Sequence, residues 1–304
     1  MKKNILTLAL TAALITGLTL SMQTNSLAAS GGFDIDENEF GSWLLGYNGP
    51  GGDVVIPDGV TWISCGFENR TDITSVTIPG SVETIGPAFT GCTGLTNVTI
   101  GNGVTKIEME AFSGCISLEH ISIPGSVKEI RQSAFKGTPW LASLGEFARV
   151  NDILVCYQGA GGDVVVPDGI TTIAESAFSG MPSVNNHITS IRLPESVTTI
   201  QDSAFYYCYD LTGIEIPYGV TRIGDNAFGL CTSLTSITLP DSLTSLGHNA
   251  FIECPNLTRV KIPGSVTFIG NDLFYRSPNA VIYGPAGSLA ESYARENGIP
   301  FAAE

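Results

Sequence analysis

The stretch Leu234–Cys254, LTSITLPDSLTSLGHNAFIEC, decides the fold, because the stretch before it has the same design. Residues Leu211–Cys231 read LTGIEIPYGVTRIGDNAFGLC, so the chain repeats with a period of 23 residues. The shared pattern is L-x-x-I-x-I-P-x-x-V-x-x-I-x-x-x-A-F-x-x-C-x-x. Seven further copies start at Gly51, Ile73, Leu95, Leu118, Gly161, Ile188 and Leu257, of which the two that begin with Gly are weak. A repeat of this length indicates a solenoid or a similar array.

Two residue types fall into columns when the nine units are aligned. Eight of the 16 prolines follow the I-x-I segment, from Pro57 to Pro263. Nine of the 14 phenylalanines share one position: Phe67, Phe89, Phe112, Phe135, Phe178, Phe205, Phe228, Phe251 and Phe274. Such columns predict that equivalent side chains stack on one another in a continuous interior.

The physics of one unit predicts its shape. I-x-I alternates apolar and polar residues and therefore indicates a short strand with one buried face. Proline ends the strand because it has no N–H for a ladder, and the Gly-Ser or Asp-Gly that follows favours a turn. V-x-x-I returns the chain, and A-F-x-x-C forms the opposite wall. A single unit cannot close its core, so successive units must stack with parallel strands ~4.8 Å apart.

The IPxxVxxIxxxAFxxC core, clearest in Ile123–Phe135 and Ile216–Cys231, resembles the BspA-type leucine-rich repeat family of bacterial surface and secreted proteins. The resemblance covers about residues 51–283. We therefore predict a right-handed parallel β-solenoid of leucine-rich-repeat type. The family also implies adhesion, or interaction with host proteins, matrix proteins or neighbouring cells.

A longer repeat divides the array into two halves. Phe40–Thr61 and Val150–Thr171 are alike at an offset of 110 residues, and each contains GGDVV after an extra strand and a Gly-rich turn. We expect each extra strand to form a hairpin with the next turn, and the whole array to be one continuous solenoid with an insertion. Thr138-Pro139-Trp140 predicts a helix over 139–145. Ser288-x-x-Glu291 and Gly298 predict a second helix over Leu289–Asn297 that caps the array.

These signals give a division of the chain into six parts. We predict a signal peptide (1–28), an N-terminal segment with a hairpin cap (29–50), units 1–4 (51–140), an inserted helix and strand (141–160), units 5–9 (161–279), and a C-terminal strand and helix cap (280–304). Lys2 and Lys3 precede an apolar run from Ile5 to Leu20, and Ser26 and Ala28 fit a cleavage site after Ala28. A membrane anchor is the alternative, but the run is short for a span.

The net charge of the chain limits the classes of partner that it can bind. The net charge is −15, and removal of residues 1–28 takes away two lysines and no acids, which leaves −17. Nucleic-acid binding needs a basic surface, so it is disfavoured. These features fit a secreted monomer, either free or held at the cell surface by a partner.

Candidate chemical groups have structural explanations. Five cysteines occupy one repeat column, where Met181, Thr138 and Ser277 replace them in other units, so a buried filler is favoured over a metal site or disulfides. Cys65 and Cys156 lie off the column. The three histidines lie in different units. Asp34–Glu39 imitates a calcium loop only in part, and the glycine-rich segments lack the lysine of a phosphate loop. We predict no cofactor, no metal and no catalytic residue.

The outward positions of the strands remain as a binding surface. They form two columns rich in Ser and Thr, and the charged members lie mostly in the second half. The candidate binding residues are His120, Arg192, Glu215, Arg259 and Lys261. We expect an extracellular protein partner bound on this concave face. A carbohydrate- or cell-wall-binding module is the alternative, a passive wall is another, and an enzyme is the least supported class because no nucleophile, base and orienting group converge.

Overall fold

The computed structural model describes residues 26–28, 31–179 and 187–304. It shows a parallel-sheet β-solenoid, in which each turn of the chain contributes a strand to each of two walls. We call them the long-strand wall and the short-strand wall. Most of the predicted signal peptide, and Met181, lie outside the described residues.

The long-strand wall consists of three sheets. The first contains β4 (Gly52–Val55), β6 (Ile73–Ile78), β8 (Asn97–Ile100) and β10 (His120–Ser122). The second contains β14 (Gly161–Val165), β16 (His187–Arg192) and β18 (Gly213–Glu215). The third contains β20 (Ser236–Thr238), β22 (Arg259–Lys261), β24 (Ile282–Gly284) and β25 (Phe301–Ala303).

The short-strand wall consists of two sheets of seven strands. The first contains β1 (Ser26–Ala28), β2 (Phe33–Asn38), β3 (Gly41–Tyr47), β5 (Trp62–Ile63), β7 (Thr84–Ile85), β9 (Lys106–Ile107) and β11 (Glu129–Ile130). The second contains β12 (Phe147–Val150), β13 (Ile153–Tyr157), β15 (Thr172–Ile173), β17 (Thr199–Ile200), β19 (Arg222–Ile223), β21 (Ser245–Leu246) and β23 (Phe268–Ile269). Within the described residues, two helices complete the fold, α1 (Pro139–Ser143) and α2 (Leu289–Asn297).

The register of the strands is the register of the sequence repeat. Thr77 pairs with Thr99, and Thr99 pairs with Ser122, so equivalent residues of successive turns lie side by side. In β8 the side chains alternate between exposed Asn97 and Thr99 and buried Val98 and Ile100. The apolar positions of the repeat are therefore inside, as the alternation predicts.

The phenylalanine column forms two stacks of rings in the core. In each stack the centroids of neighbouring Phe rings are 4.8–5.6 Å apart and their planes differ by at most 16°. The first stack ends where Phe135 meets the edge of Trp140, and a new one starts with Phe147 and Tyr157. The continuous hydrophobic core spans both halves, but the aromatic stack is interrupted.

The extra strands pair differently from our expectation. β3 forms an antiparallel hairpin with β2, which precedes it, and β13 forms one with β12. Each extra strand then pairs in parallel with the next turn, β3 with β5 and β13 with β15. The predicted hairpin with the next turn is therefore wrong. Between each extra strand and the next turn the chain passes through a strand of the long-strand wall, β4 or β14, and such a crossover connection joins parallel strands.

Helix α1 interrupts the long-strand wall after β10. Thr138 is its N-cap and accepts a hydrogen bond from the backbone N–H of Leu141, and Pro139 opens the helix as predicted. The backbone N–H of Trp140 donates to the carbonyl of Leu118, so the start of the helix lies against the last turn of the first half. The strand ladders of the first half end at β10 and β11 and start again at β12 and β14.

The C-terminal helix has the predicted caps. The Ser288 hydroxyl accepts from the N–H of Glu291, and Gly298 ends the helix with φ 67°. Ala290 and Ala294 are buried. Beyond the helix, β25 adds to β24 in parallel, a strand that the sequence analysis did not predict.

The cysteine column has a polar role as well as a packing role. Each of its thiols donates to the carbonyl of the phenylalanine in the preceding turn, as Cys92 does to Phe67 at 2.9 Å and Cys254 to Phe228 at 3.1 Å. Ser277 makes the same bond to Phe251 at 2.7 Å. Burial raises the pKa of Cys92 to about 11 and that of Cys254 to about 12. The column therefore selects a small donor for a buried carbonyl.

Candidate functional site

The outward side chains of the long-strand wall form the two columns that the repeat predicts. Ser75, Asn97 and His120 are paired in register on β6, β8 and β10. The backbone groups between the strands are used in the ladder, so side chains alone give this surface its chemical character.

The second half of the wall brings two candidate residues together. Arg192 on β16 and Glu215 on β18 are register partners, and both are exposed. They present a base beside an acid on neighbouring strands. Ile214, the central residue of β18, is only half-buried, whereas Ile237, the central residue of β20 one turn later, is buried.

Arg259 is held by the C-terminus. Its guanidinium lies 3.9 Å from the ring centroid of Tyr283, and its Nη2 is 2.5 Å from a carboxylate oxygen of Glu304. These contacts stabilise the end of the array, and Glu304 partly neutralises the charge. Lys261, two residues further on the same strand, is exposed beside Thr238 and Tyr283 in the register.

His120 lies apart from the other four candidates. It is on β10, the last strand before the α1 interruption. A shallow hollow of about 310 Å³ lies at this edge, between β8 and β10 and the side chain of Trp140. Ile121 in this hollow is half-buried, whereas the equivalent Val98 is buried. The structure therefore places His120 in a separate notch of the wall.

Each half of the wall begins with an aspartate bound to hydroxyl groups. The Asp53 carboxylate accepts from the hydroxyl of Ser75 at 2.6 Å, and the Asp163 carboxylate from that of Ser190 at 2.7 Å. These hydroxyl bonds lower the pKa of Asp163. Among the described residues, the carboxyl groups with a shifted pKa are all lowered, whereas a general acid needs a raised pKa.

The other candidate chemical groups do not converge. Asp34 and Asp36 lie in strand β2 and not in a loop, so the partial calcium pattern does not wrap around an ion. His187 contacts Asp210, and His248 accepts from the N–H of Asn271 in another turn. Within the described ranges, no group of three or more His, Cys, Asp or Glu residues is arranged to hold a metal ion.

Sequence reasoning missed an aromatic pair on the short-strand wall. Trp43 on β3 and Trp62 on β5 are register partners, with ring centroids 5.0 Å apart and planes inclined by 43°. Trp62 is 37% exposed and Trp43 is half-buried. Asp36 pairs with Trp43 on its other side. The pattern could have been found, because both tryptophans precede an inward aliphatic residue at the same place in their turns.

Comparison with known proteins identifies the family to which the repeat belongs. The sequence matches the family described as "BspA type Leucine rich repeat region", in six copies, over residues 53–152 and 157–281. No curated protein matches the chain.

Several solved structures are similar to this chain. One is a leucine rich cell surface protein from Faecalibacterium prausnitzii A2-165, which is 24% identical, with 88% of this chain and 96% of that chain covered and a TM-score of 0.46. Leucine-rich repeat proteins from Bacteroides ovatus and Eubacterium ventriosum are 20% and 18% identical, with TM-scores of 0.40 and 0.43. The match to the Bacteroides ovatus protein covers 95% of this chain and 100% of that chain. The match to the Eubacterium ventriosum protein covers 83% of this chain and 82% of that chain.

Proposed function

Because this chain belongs to the BspA-type leucine-rich repeat family, we propose that it is a secreted, non-catalytic protein that binds a protein partner through the long-strand wall. One observation carries the proposal. Equivalent outward positions of successive turns lie in register, so the wall presents side chains at regular spacing over many turns. Such extended walls suit a partner that contacts many positions weakly.

The second half of the wall is the preferred contact region. Arg192, Glu215 and Lys261 are exposed charged side chains on three of its strands. Charges of both signs on one face select a partner by complementary charge and raise its association rate more than its affinity. Arg259 contributes less, because Glu304 and Tyr283 already occupy its guanidinium.

Secretion is proposed from the sequence of residues 1–28. Two lysines, an apolar run and a small-residue cleavage site are typical of an exported protein. Among the described residues, no helix has the length and apolar character that a membrane crossing requires.

The test is a binding screen of the processed chain against immobilised collagen, laminin and fibronectin at two salt concentrations. The triple variant Arg192→Ala, Glu215→Ala, Lys261→Ala should bind any positive hit on the order of tenfold more weakly, because several modest contacts are lost together. Unchanged binding would remove the long-strand wall as the contact surface.

The matched control removes the same charges elsewhere. Glu83, Lys128 and Arg222 are exposed residues outside the long-strand wall, and their replacement by Ala deletes two bases and one acid as well. This variant should bind as the wild type does. If it lost as much affinity as the Arg192, Glu215 and Lys261 triple variant, binding would depend on the overall charge of the chain and not on the long-strand wall.

A glycan chain is a second candidate ligand, favoured by the Trp43–Trp62 pair alone. Exposed tryptophan is uncommon, and its large ring provides an apolar surface with a polar N–H. Asp36 beside Trp43 would repel anionic sugars, so a neutral chain fits best. Trp62→Ala should abolish retention on chitin or cellulose, whereas Phe268→Ala, an exposed aromatic at the far end of the same wall, should not. Absence of retention for the wild type would exclude this candidate for those two polymers.

A further inference from the structure

One corner of the solenoid carries large side chains in a backbone conformation that disfavours them. In the first half, the corner after the Phe column is occupied by Asn69, Gly91, Gly114 and Gly137, with φ between 61° and 80°. In the last four units of the second half, the same position holds Tyr207, Leu230, Glu253 and Arg276, with φ between 54° and 66°.

The backbone performs the same task in both halves. The N–H of Gly114 donates to the carbonyl of Lys136 in the next turn at 2.8 Å. The N–H of Leu230 donates to the carbonyl of Ile252 in the next turn, also at 2.8 Å. A Cβ on Gly114 would meet its nearest atom at an ordinary 3.6 Å. Glycine therefore stands there for its positive φ, and the fold of the second half does not need a large side chain at this position.

Large residues with positive φ are uncommon, and their strain persists only where something compensates for it. Four such residues occur in consecutive turns here. Since glycine satisfies the same hydrogen bond in the first half, the compensation is not found in the backbone. We therefore look for the compensation in the large side chains themselves, that is, in what they contact at the surface.

The neighbouring column changes in the same way. It holds polar Thr90, Ser113 and Lys136 in the first half, and it holds Tyr206, Ile252 and Tyr275 in three turns of the second half. The rings of Tyr206 and Tyr207 have centroids 4.3 Å apart, and those of Tyr207 and Tyr209 are 5.7 Å apart. The second half therefore has an aromatic and aliphatic surface where the first half has a polar one.

An ion pair borders this surface. Arg276 is 3.1 Å from Glu253, and its guanidinium lies 5.4 Å from the ring centroid of Tyr275. The Arg276 side chain is 65% exposed. One acid and one base make the surface close to neutral on a chain with a net charge of −15.

We propose that this surface, the corner patch, is a second protein-binding site, and that its partner is a protein with an uncharged aromatic or aliphatic contact surface. The corner patch consists of Tyr206, Tyr207, Tyr209, Leu230, Glu253 and Arg276. Tyrosine and arginine dominate the energetically important contacts of protein interfaces. The neutral charge matches an uncharged partner surface.

The mixture of side chains favours a protein over a glycan, because the corner patch adds Leu230 and the Glu253–Arg276 ion pair to its rings. The Tyr206 and Tyr207 planes differ by 58°, and those of Tyr207 and Tyr209 by 48°. Inclined rings form a shaped surface into which side chains of a protein partner can pack.

The test uses a phage library of random 12-residue peptides, selected on the immobilised wild-type chain. The patch variant carries Gly in place of the four corner residues: Tyr207→Gly, Leu230→Gly, Glu253→Gly and Arg276→Gly. Peptides rich in aromatic and aliphatic residues should be enriched on the wild type, and their affinity should fall on the order of tenfold or more on the patch variant. Equal enrichment on both chains would overturn the proposal.

A matched control has the same number of glycines at positive φ in the same four turns: Ser203→Gly, Asn226→Gly, Asn249→Gly and Asp272→Gly. It should bind the enriched peptides as the wild type does. The binding should also change little between low and high salt, and it should survive the triple variant of the long-strand wall. A strong salt dependence, or loss in that triple variant, would assign the peptides to the wall and overturn the proposal.

Thermal unfolding separates binding from a structural role. The patch variant should unfold at the same temperature as the control variant or higher, because glycine relieves the positive-φ strain. A clearly lower midpoint would show that the large side chains stabilise the fold, and would overturn the proposal. Leu230→Asn provides a milder variant, since Asn tolerates a positive φ. It should still lower the affinity of the enriched peptides severalfold. Sedimentation of the wild type should give a monomer, because self-association lost in the patch variant would assign the patch to a second copy.

Discussion

Replacement of Phe228 by Ala tests the interior of the solenoid most directly. Phe228 is fully buried in the middle of the second ring stack, between Phe205 at 5.1 Å and Phe251 at 5.6 Å. Truncation of a buried phenylalanine costs about 3–5 kcal/mol through lost burial and the remaining cavity. Each stacked pair adds about 0.5–1.5 kcal/mol beyond burial, so two neighbours place the loss near the top of that range.

The assay is urea denaturation followed by far-ultraviolet circular dichroism, with hydrogen exchange to locate the loss. Repeat arrays unfold by turns, so the loss should appear first in the second half of the chain. Phe274→Ala, at the end of the stack with the single ring neighbour Phe251, should cost less. Phe268→Ala is the surface control, because Phe268 is 48% exposed, and its loss should stay below about 1 kcal/mol.

A loss below about 1 kcal/mol for Phe228→Ala would refute the reasoning. It would mean that the ring column is not internal, or that neighbouring turns collapse into the space without cost. Equal losses for Phe228→Ala and Phe268→Ala would refute it as well, because the two positions differ mainly in burial.

Three further predictions concern thiols, the C-terminus and the junction of the halves. At pH 8 the native chain should expose at most two thiols to a thiol-specific dye, Cys65 and Cys156, because the column thiols are buried and burial raises the pKa of Cys92, Cys115, Cys231 and Cys254; more than two rapid reactions would contradict the buried column. Deletion of 285–304 removes β25 and α2 and bares the edge of β24, so it should cause association in sedimentation, and a monodisperse product of equal stability would contradict this. Glu175→Ala removes the one of Arg131's three carboxylate partners that lies across the junction, at 2.7 Å, and should lower the stability by about 0.5–1.5 kcal/mol in urea, because Glu129 and Glu108 remain beside Arg131; an unchanged, single transition would contradict a coupling role.

The two halves of the chain share a backbone but differ in surface. The first half has glycine and polar residues at the corner where the second has Tyr207, Leu230 and their neighbours. The charged residues Arg192, Glu215 and Lys261 of the long-strand wall also belong to the second half. Both proposed protein-binding surfaces are thus in the second half, on different sides of the solenoid.

The sequence alone determined the solenoid, because a 23-residue period with fixed Ile, Pro, Phe and Cys positions permits one way of stacking like on like. It also determined the caps of α2, since Ser288, Glu291 and Gly298 satisfy backbone groups within a few residues of themselves. The two outward columns followed from strand alternation, and the register confirms that His120 and Asn97 are neighbours.

Only the tertiary structure decided the features that depend on which strand each segment meets. The pairing of β13 with β12, and the end of the ladders beside α1, result from the path of the inserted segment through space. The cysteine column was predicted as a filler, but the carbonyl that each thiol meets belongs to another turn. The Trp43–Trp62 pair and the strained corner at Tyr207 likewise depend on neighbours 19 to 23 residues away and on a φ angle, neither of which is encoded in the local pattern.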